Sequence, residues 1–266
     1  VSKGKARTKL LDHSAGLVEG SAAGVSWEFL YQASTVKHPD YNIGDRVVLP
    51  DGRVCRYGKS SDGSLNTDLL CSFAEDECQG YEVLKNAQVV GDREVTFTGA
   101  AHAIVAENAL RGGYVIIYHS GGGGFTQFRG IVGNTASGLN ANITVYLDAA
   151  LDHEVIALTT AAELWYNPYA ALQGAQDIAQ SRAGRPMVNV AAANTYFWIQ
   201  TWGPCWLAPQ QAGFQAASKQ RSALARHDGS LQAVGAETGF DTTQVVGFLI
   251  NEGFSSGPLF MLQISP

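Results

Sequence analysis

The sequence predicts a mainly β fold, with two barrel- or sandwich-like subdomains, an extended amino-terminal arm and at most one short helix. Three observations predict it. Short runs rich in Val, Ile, Tyr, Phe and Trp recur along the chain, and several alternate apolar with polar residues at the two-residue period of a half-buried strand. Turn-forming residues separate these runs; 30 Gly and 8 Pro in 266 residues interrupt the chain too often for long helices. Only residues 168–184 offer a helix candidate.

Taken in order, residues 1–43 show no sustained period and read as an extended arm. Lys3, Lys5, Arg7 and Lys9 make its start cationic, and Trp27, Phe29, Leu30 and Tyr31 form an apolar anchor, with Val25 to Tyr31 expected as a strand. Residues 44–169 read as a first β-rich domain. It opens with a hairpin, because Arg46–Leu49 and Arg53–Tyr57 flank Pro50-Asp51-Gly52, where Pro presets φ and Asp-Gly tolerates the left-handed turn. Strands are expected at Glu94–Thr98, Phe125–Val132, Ile143–Leu147, Val155–Leu158 and Glu163–Tyr166. The run Tyr114–Tyr118 is apolar throughout, which suits a strand covered on both faces. Residues 170–187 read as a linker or short helix, with Asn167 as cap and Pro168 at the first helical position. Residues 188–266 read as a second β-rich domain, with strands at Tyr196–Trp202, Val245–Ile250 and Leu259–Ile264. Glu107–Ile117 and Ala191–Ile199 each place small polar residues before an aromatic-led strand, a faint sign of duplication.

Charged residues make up 16% of the chain, below the usual quarter, so stability and solubility are expected to come from tight β-packing or from docking in an assembly. The net charge of −6 and pI near 5.5 lack the footprint of a nucleic-acid-binding protein. No stretch approaches the ~20 apolar residues of a membrane-spanning helix, and the basic start has no apolar segment behind it, so synthesis in the cytoplasm is expected. Cys55, Cys71, Cys78 and Cys205 form no metal-binding spacing. Cys71 and Cys78 are close enough to bridge, but free buried thiols fit cytoplasmic synthesis better.

Little points to catalysis. Gly121–Gly124 lacks the Lys-Ser/Thr and following helix of a phosphate loop and reads as a hairpin tip. Asp12-His13-Ser14 are adjacent, whereas triad members converge from distant segments. His38, His102, His119, His153 and His227 are scattered. Asp148, Asp152, His153 and Glu154 fit a polar turn better than a cation site, and Glu75-Asp76-Glu77 reads as a solvated acidic loop. No catalytic, metal or cofactor site is therefore expected. On a strand, Tyr196, Trp198 and Trp202 share one face, with Trp206 just beyond. Such a face fills a core or subunit interface, or, if exposed, stacks sugars.

Three motifs resemble a known family. GDRVVLPDGRVCRYGK at 44–59, NPY at 167–169 and YFWIQTWGP at 196–204 are similar, in this order, to segments of structural proteins encoded beside the capsid genes of tailed phages. The resemblance spans residue 44 to the carboxyl terminus. Cys55 stands where the family tends to have Phe, and 170–183 looks like an insertion. The resemblance implies a non-enzymatic virion protein on the outer capsid surface, a decoration or cement protein that binds the major capsid protein and neighbouring copies of itself. The net charge and the lack of a long apolar run lead to the expectation of no nucleic-acid or membrane partner. Lys3, Lys5, Arg7, Lys9, Trp27, Phe29 and Tyr31 are then the candidate capsid contacts. The alternative is a tail, baseplate or head-fibre protein whose aromatics bind host glycan.

Overall fold

The computed structural model describes residues 17–18, 25–74, 77–99, 102–118, 126–177, 180–209, 221–233, 244–251 and 258–266. The tail cations Lys3 to Lys9, Asp12-His13-Ser14, Glu75, Asp76, His119 and Gly121–Gly124 lie outside them. Among the described residues the fold is mainly β, with 48% in strands and 4% helical, in two sheets that each curl into a half-barrel.

The early strands are β1 (Leu17–Val18), β2 (Val25–Ser26), β3 (Arg46–Val48), β4 (Val54–Lys59) and β5 (Cys71–Phe73). Then come β6 (Glu77–Val83), β7 (Glu94–Phe97), β8 (Tyr114–Tyr118), β9 (Thr126–Asn134), β10 (Ile143–Leu147) and β11 (Ala161–Trp165). The remainder are β12 (Leu172–Gly174), β13 (Arg182–Pro186), β14 (Tyr196–Trp206), β15 (Ser222–Ala225), β16 (Leu231–Ala233), β17 (Val245–Asn251) and β18 (Leu259–Gln263).

Two compact units divide the chain, and not in the order that local patterns suggest. The first joins Val1–Ala74 to Tyr169–Pro266; the second is the insertion Glu75–Pro168. Residues 44–74, expected to begin a domain ending at 169, instead pair with the far end of the chain. Antiparallel β4 runs along β14 from Tyr196↔Lys59 to Trp202↔Val54, a register only tertiary pairing can set. At the junction, the amide of Ala74 donates to the carbonyl of Ala171 at 2.9 Å.

In the first unit, the sheet order is β12-β5-β13-β14-β18-β17-β15-β16, with β4 and then β3 branching from β14. The β3–β4 hairpin forms as expected. Gly52 takes φ +83° in its turn, and Leu49 N–H donates to the Arg53 carbonyl. The β17–β18 hairpin is likewise present. Val25–Tyr31 is not a strand: after β2, Ser26 caps a single helical turn, α1 (Trp27–Leu30), its side chain accepting from Phe29 N–H. Residues 168–184 are not a helix either. Pro168–Ala170 makes one 3-10 turn, and the chain then enters β12, where Leu172 is buried opposite Phe73. The start signals at Asn167-Pro168 were real, but Gly174 and the lack of an apolar stripe leave nothing for a helix to bury.

The second unit holds one antiparallel sheet of order β6-β11-β8-β9-β10-β7. Its concave side packs Phe97, Val115, Ile117, Ile131, Ile143, Val145 and Leu164 into one core. Val155–Leu158 is a turn rather than a strand: Val155 makes a single bridge to Gln88, and Leu158 adopts φ +57°. Among the described residues four such bridges, Ser34↔Tyr196, Leu65↔Val190, Gln88↔Val155 and Val105↔Ser137, are each closed by two reciprocal amide–carbonyl bonds. Left-handed Gly91, Asn108, Asn140, Leu158 and Asn194 each follow a bridge residue by three or four positions and precede a strand. The faint similarity of 107–117 and 191–199 is part of this bridge–turn–strand repetition.

Candidate interaction surface

The aromatic residues singled out on β14 are built mainly into the first unit. Trp198 is fully buried, and Tyr196 packs at the margin of the same cluster with Tyr41 and Tyr57. Trp198 meets Tyr41 at 5.3 Å and 76° and Phe29 at 6.4 Å and 84°, the edge-to-face geometry that ring quadrupoles favour. Phe197 and Ile199, on the opposite face, are buried against Leu172 and Val190. A bulge between Gln200 and Trp202 breaks the alternation, so half-buried Trp202 does not continue the Trp198 face. Trp206 alone of the four is exposed, opposite exposed Leu259 on β18.

The apolar anchor near the amino terminus is also used within the fold. Trp27 and Phe29 pack on the Trp198 cluster, and Arg53 lies over the Trp27 ring at 5.9 Å. Tyr31 faces outward, its hydroxyl accepting from Arg53 at 3.5 Å.

The exposed aromatic surface lies on the second unit. The run Tyr114–Tyr118, expected to be covered on both faces, is covered on one. Val115 and Ile117 point into the core, while Tyr114, Ile116 and Tyr118 lie on the convex side. Register carries this side across neighbouring strands. Glu163 on β11 stands opposite Ile116, and Trp165 opposite Tyr114. On β9, Phe128 stands opposite Ile116, and Gly130 opposite Tyr114. Farther along, Tyr146 on β10 stands opposite Glu94 on β7.

Two ring pairs mark the surface. Tyr114 and Phe128 stack at 5.1 Å and 19°, and Tyr81 of β6 meets Tyr118 at 5.5 Å. Phe128 is 57% exposed and Tyr81 67%. Carboxylates lie among the rings. An Asp148 oxygen sits 2.7 Å from where a Gly130 Cβ would be, so the absence of a side chain at Gly130 admits the carboxylate beside the Tyr114–Phe128 pair. Tyr118 hydrogen-bonds Glu163; its pKa is raised, first by desolvation and then by the Glu163 hydrogen bond and charge.

The turns of this unit add aliphatic tips. The Gln88↔Val155 bridge brings together the turns bearing exposed Val89, Val90, Ile156 and Leu158, and the Val105↔Ser137 bridge does the same for Ile104 and Leu139. Eleven of the eighteen large hydrophobic side chains exposed among the described residues belong to this unit. It also holds eleven Asp and Glu against four Lys and Arg, a net charge of −7, so the rest of the chain is close to neutral.

Other polar groups serve the fold. Asp152 pairs with Arg129 at 3.3 Å and His153 at 3.0 Å at a strand connection, the polar turn expected there. His102 is buried with a ring nitrogen 2.6 Å from each of two carbonyls, of Ala103 and Ala141. Buried Arg182 donates to the Ser72 hydroxyl and to the carbonyls of Asp177 and Arg226, the last two at 2.8 Å. All four cysteines are free and buried; burial pushes the thiols of Cys55, Cys71 and Cys205 up to about 12. Among the described residues no group of His, Cys, Asp and Glu could hold a metal ion, and no helix is long and apolar enough to cross a membrane.

The convex surface escaped sequence reasoning because its rings are spread over β6, β8, β9 and β10 and meet only through register. The available signal was the Tyr-Ile-Tyr alternation within Tyr114–Tyr118. Comparison with family models, with curated proteins and with solved structures gave no match for this chain.

Proposed function

We propose that this chain is a non-enzymatic structural protein of a phage particle, decorating or cementing the outer capsid surface through the major capsid protein and neighbouring copies of itself. One observation carries the reading: the second unit displays a convex aromatic sheet face and aliphatic turn tips to solvent. Single exposed apolar residues are ordinary, but a concentration of exposed rings and aliphatic tips on one unit supports an interaction surface. Such a surface gains affinity by burying area, and several modest contacts on one chain combine into a multivalent attachment. The order of the three sequence motifs, which resembles that of phage head proteins, supports the choice of a capsid partner.

The test is occupancy. Purified chain is added to undecorated particles, and bound copies are counted by cryo-electron microscopy. The expected result is ordered density on the outer surface that is lost with Tyr81→Ser/Phe128→Ser; absence of density for the unaltered chain would sink the reading.

The Tyr114–Phe128 pair with the Asp148 carboxylate beside it favours one second reading, a tail, baseplate or head-fibre protein that binds glycan. Stacked rings meet the C–H faces of sugars and a carboxylate accepts from hydroxyls. Saturable binding on a glycan array, lost in Phe128→Ser, is the result that reading requires.

A further inference from the structure

The convex face of the second unit carries three carboxylates, Glu163, Asp148 and Glu94, belonging to or lying over β11, β9 and β7. These are alternate strands in the sheet order. With strands ~4.8 Å apart and a rise of ~3.3 Å per residue, the three follow a diagonal on the order of 20 Å long. Tyr114, Phe128 and Tyr146 are the rings along it. Of the four Lys and Arg residues of this unit, only Arg93 reaches this side, beside Glu94, Val132 and Tyr146 at its far end. Lys85 and Arg111 lie in connecting segments, Arg93 donates to the Asp148 carbonyl, and Arg129 is engaged by Ala150 and Asp152.

The chain contains a segment of matching chemistry. Lys3, Lys5, Arg7 and Lys9 occur at every second position with no acidic residue among residues 1–9. In an extended peptide, residues at i and i+2 project to one side, and Lys3 to Lys9 covers about 20 Å. Four cations on one edge of such a peptide match a ring-lined acidic diagonal of similar length, with carboxylates to pair and ring faces to accept cations.

We propose that this face seats the cationic amino-terminal segment of a second copy of the chain, linking copies tail to face. The proposal deepens the assembly reading, naming the contact between neighbours, but needs no capsid. Because the tail and its seat are different surfaces, the contact is heterologous and propagates from copy to copy.

The experiment uses the full chain in sedimentation velocity. The unaltered chain is expected to self-associate at about 20 mM salt and to disperse at about 0.5 M, where charges are screened within a few ångströms. A tail-reversed variant (Lys3→Glu, Lys5→Glu, Arg7→Glu, Lys9→Glu) and a face-reversed variant (Glu94→Lys, Glu163→Lys) are each expected to stay monomeric at low salt. Mixed, they should associate again, because the reversed tail fits the reversed face. A labelled peptide of residues 1–12 should bind the tail-reversed chain and fail to bind the face-reversed one. Circular dichroism melts of both variants establish that they are folded. A monomeric unaltered chain at low salt, association indifferent to the face reversal, or no recovery on mixing would each overturn the proposal. Because no particles are present, these outcomes are separate from failure to decorate a capsid.

Discussion

Several single side chains in this protein answer a local polar problem with neutral partners. Among the described residues no carboxylate pairs directly with the Arg182 guanidinium; burial lowers its pKa against the opposing charges of Asp228 and Asp177, and one hydroxyl and two carbonyls hold it in place. These acceptors belong to β5, to the segment before β13 and to the segment after β15, so one planar fork ties together chain regions far apart in sequence. A lysine presents a compact ammonium that cannot reach divergent acceptors together. Arg182→Lys is expected to lower stability by about 2–3 kcal/mol, measured as a shift in the urea midpoint at unchanged slope. The thiols make a second prediction at this scale. With Cys55, Cys71 and Cys205 pushed up to about 12 by burial, almost no thiolate exists at pH 8 and no reagent reaches them. Native protein should therefore leave these three unlabelled by a disulfide-exchange reagent for hours, and denatured protein should react at all four cysteines at once.

Among the elements, what could be read from sequence depended on how local the cause was. The β3–β4 hairpin was legible because Pro50-Asp51-Gly52 and both flanking strands lie within a dozen residues. β10 was legible because its apolar alternation is intrinsic to Ile143–Leu147. β5, β12 and β13 left no mark: Cys71-Ser72-Phe73, Leu172-Gln173-Gly174 and Arg182–Pro186 have neither alternation nor β-branched residues. They are strands because pairing partners flank them, which composition does not encode. The same limit misplaced the aromatic surface. Tyr196–Trp202 and Tyr114–Tyr118 look alike as sequences, yet packing on both faces buries the first while the second has a covered side and a bare one. The recurring turns carry a prediction of their own. Leu158 holds φ +57° and is 65% exposed, so its side chain contributes little burial to offset the left-handed backbone. Leu158→Gly is expected to leave stability unchanged or raise it by up to about 1 kcal/mol, read from thermal melts; a clear loss would mean that the leucine is held by contacts within the fold.

For the molecule as a whole, the exposed apolar side chains and the packed cores are different sets of residues. Aliphatic and aromatic side chains exposed on the second unit do not belong to its core cluster. Tyr81→Ser/Phe128→Ser should accordingly change the unfolding free energy by no more than about 1 kcal/mol, since exposed positions away from packed contacts tolerate substitution, while lowering attachment to particles. A large fall in stability with unchanged attachment would contradict this separation. The first unit, by contrast, invests its rings inward, and β14 alone supplies Trp198, Phe197 with Ile199, and Cys205 to three separate clusters.

The 2.9 Å bond between Ala74 and Ala171 places the two ends of the excursion side by side. A polypeptide that leaves and returns at one point is a cassette in an otherwise continuous scaffold: replacing residues 75–168 with a short turn asks only that a gap already closed be spanned. The same splice point offers a place to graft a foreign domain.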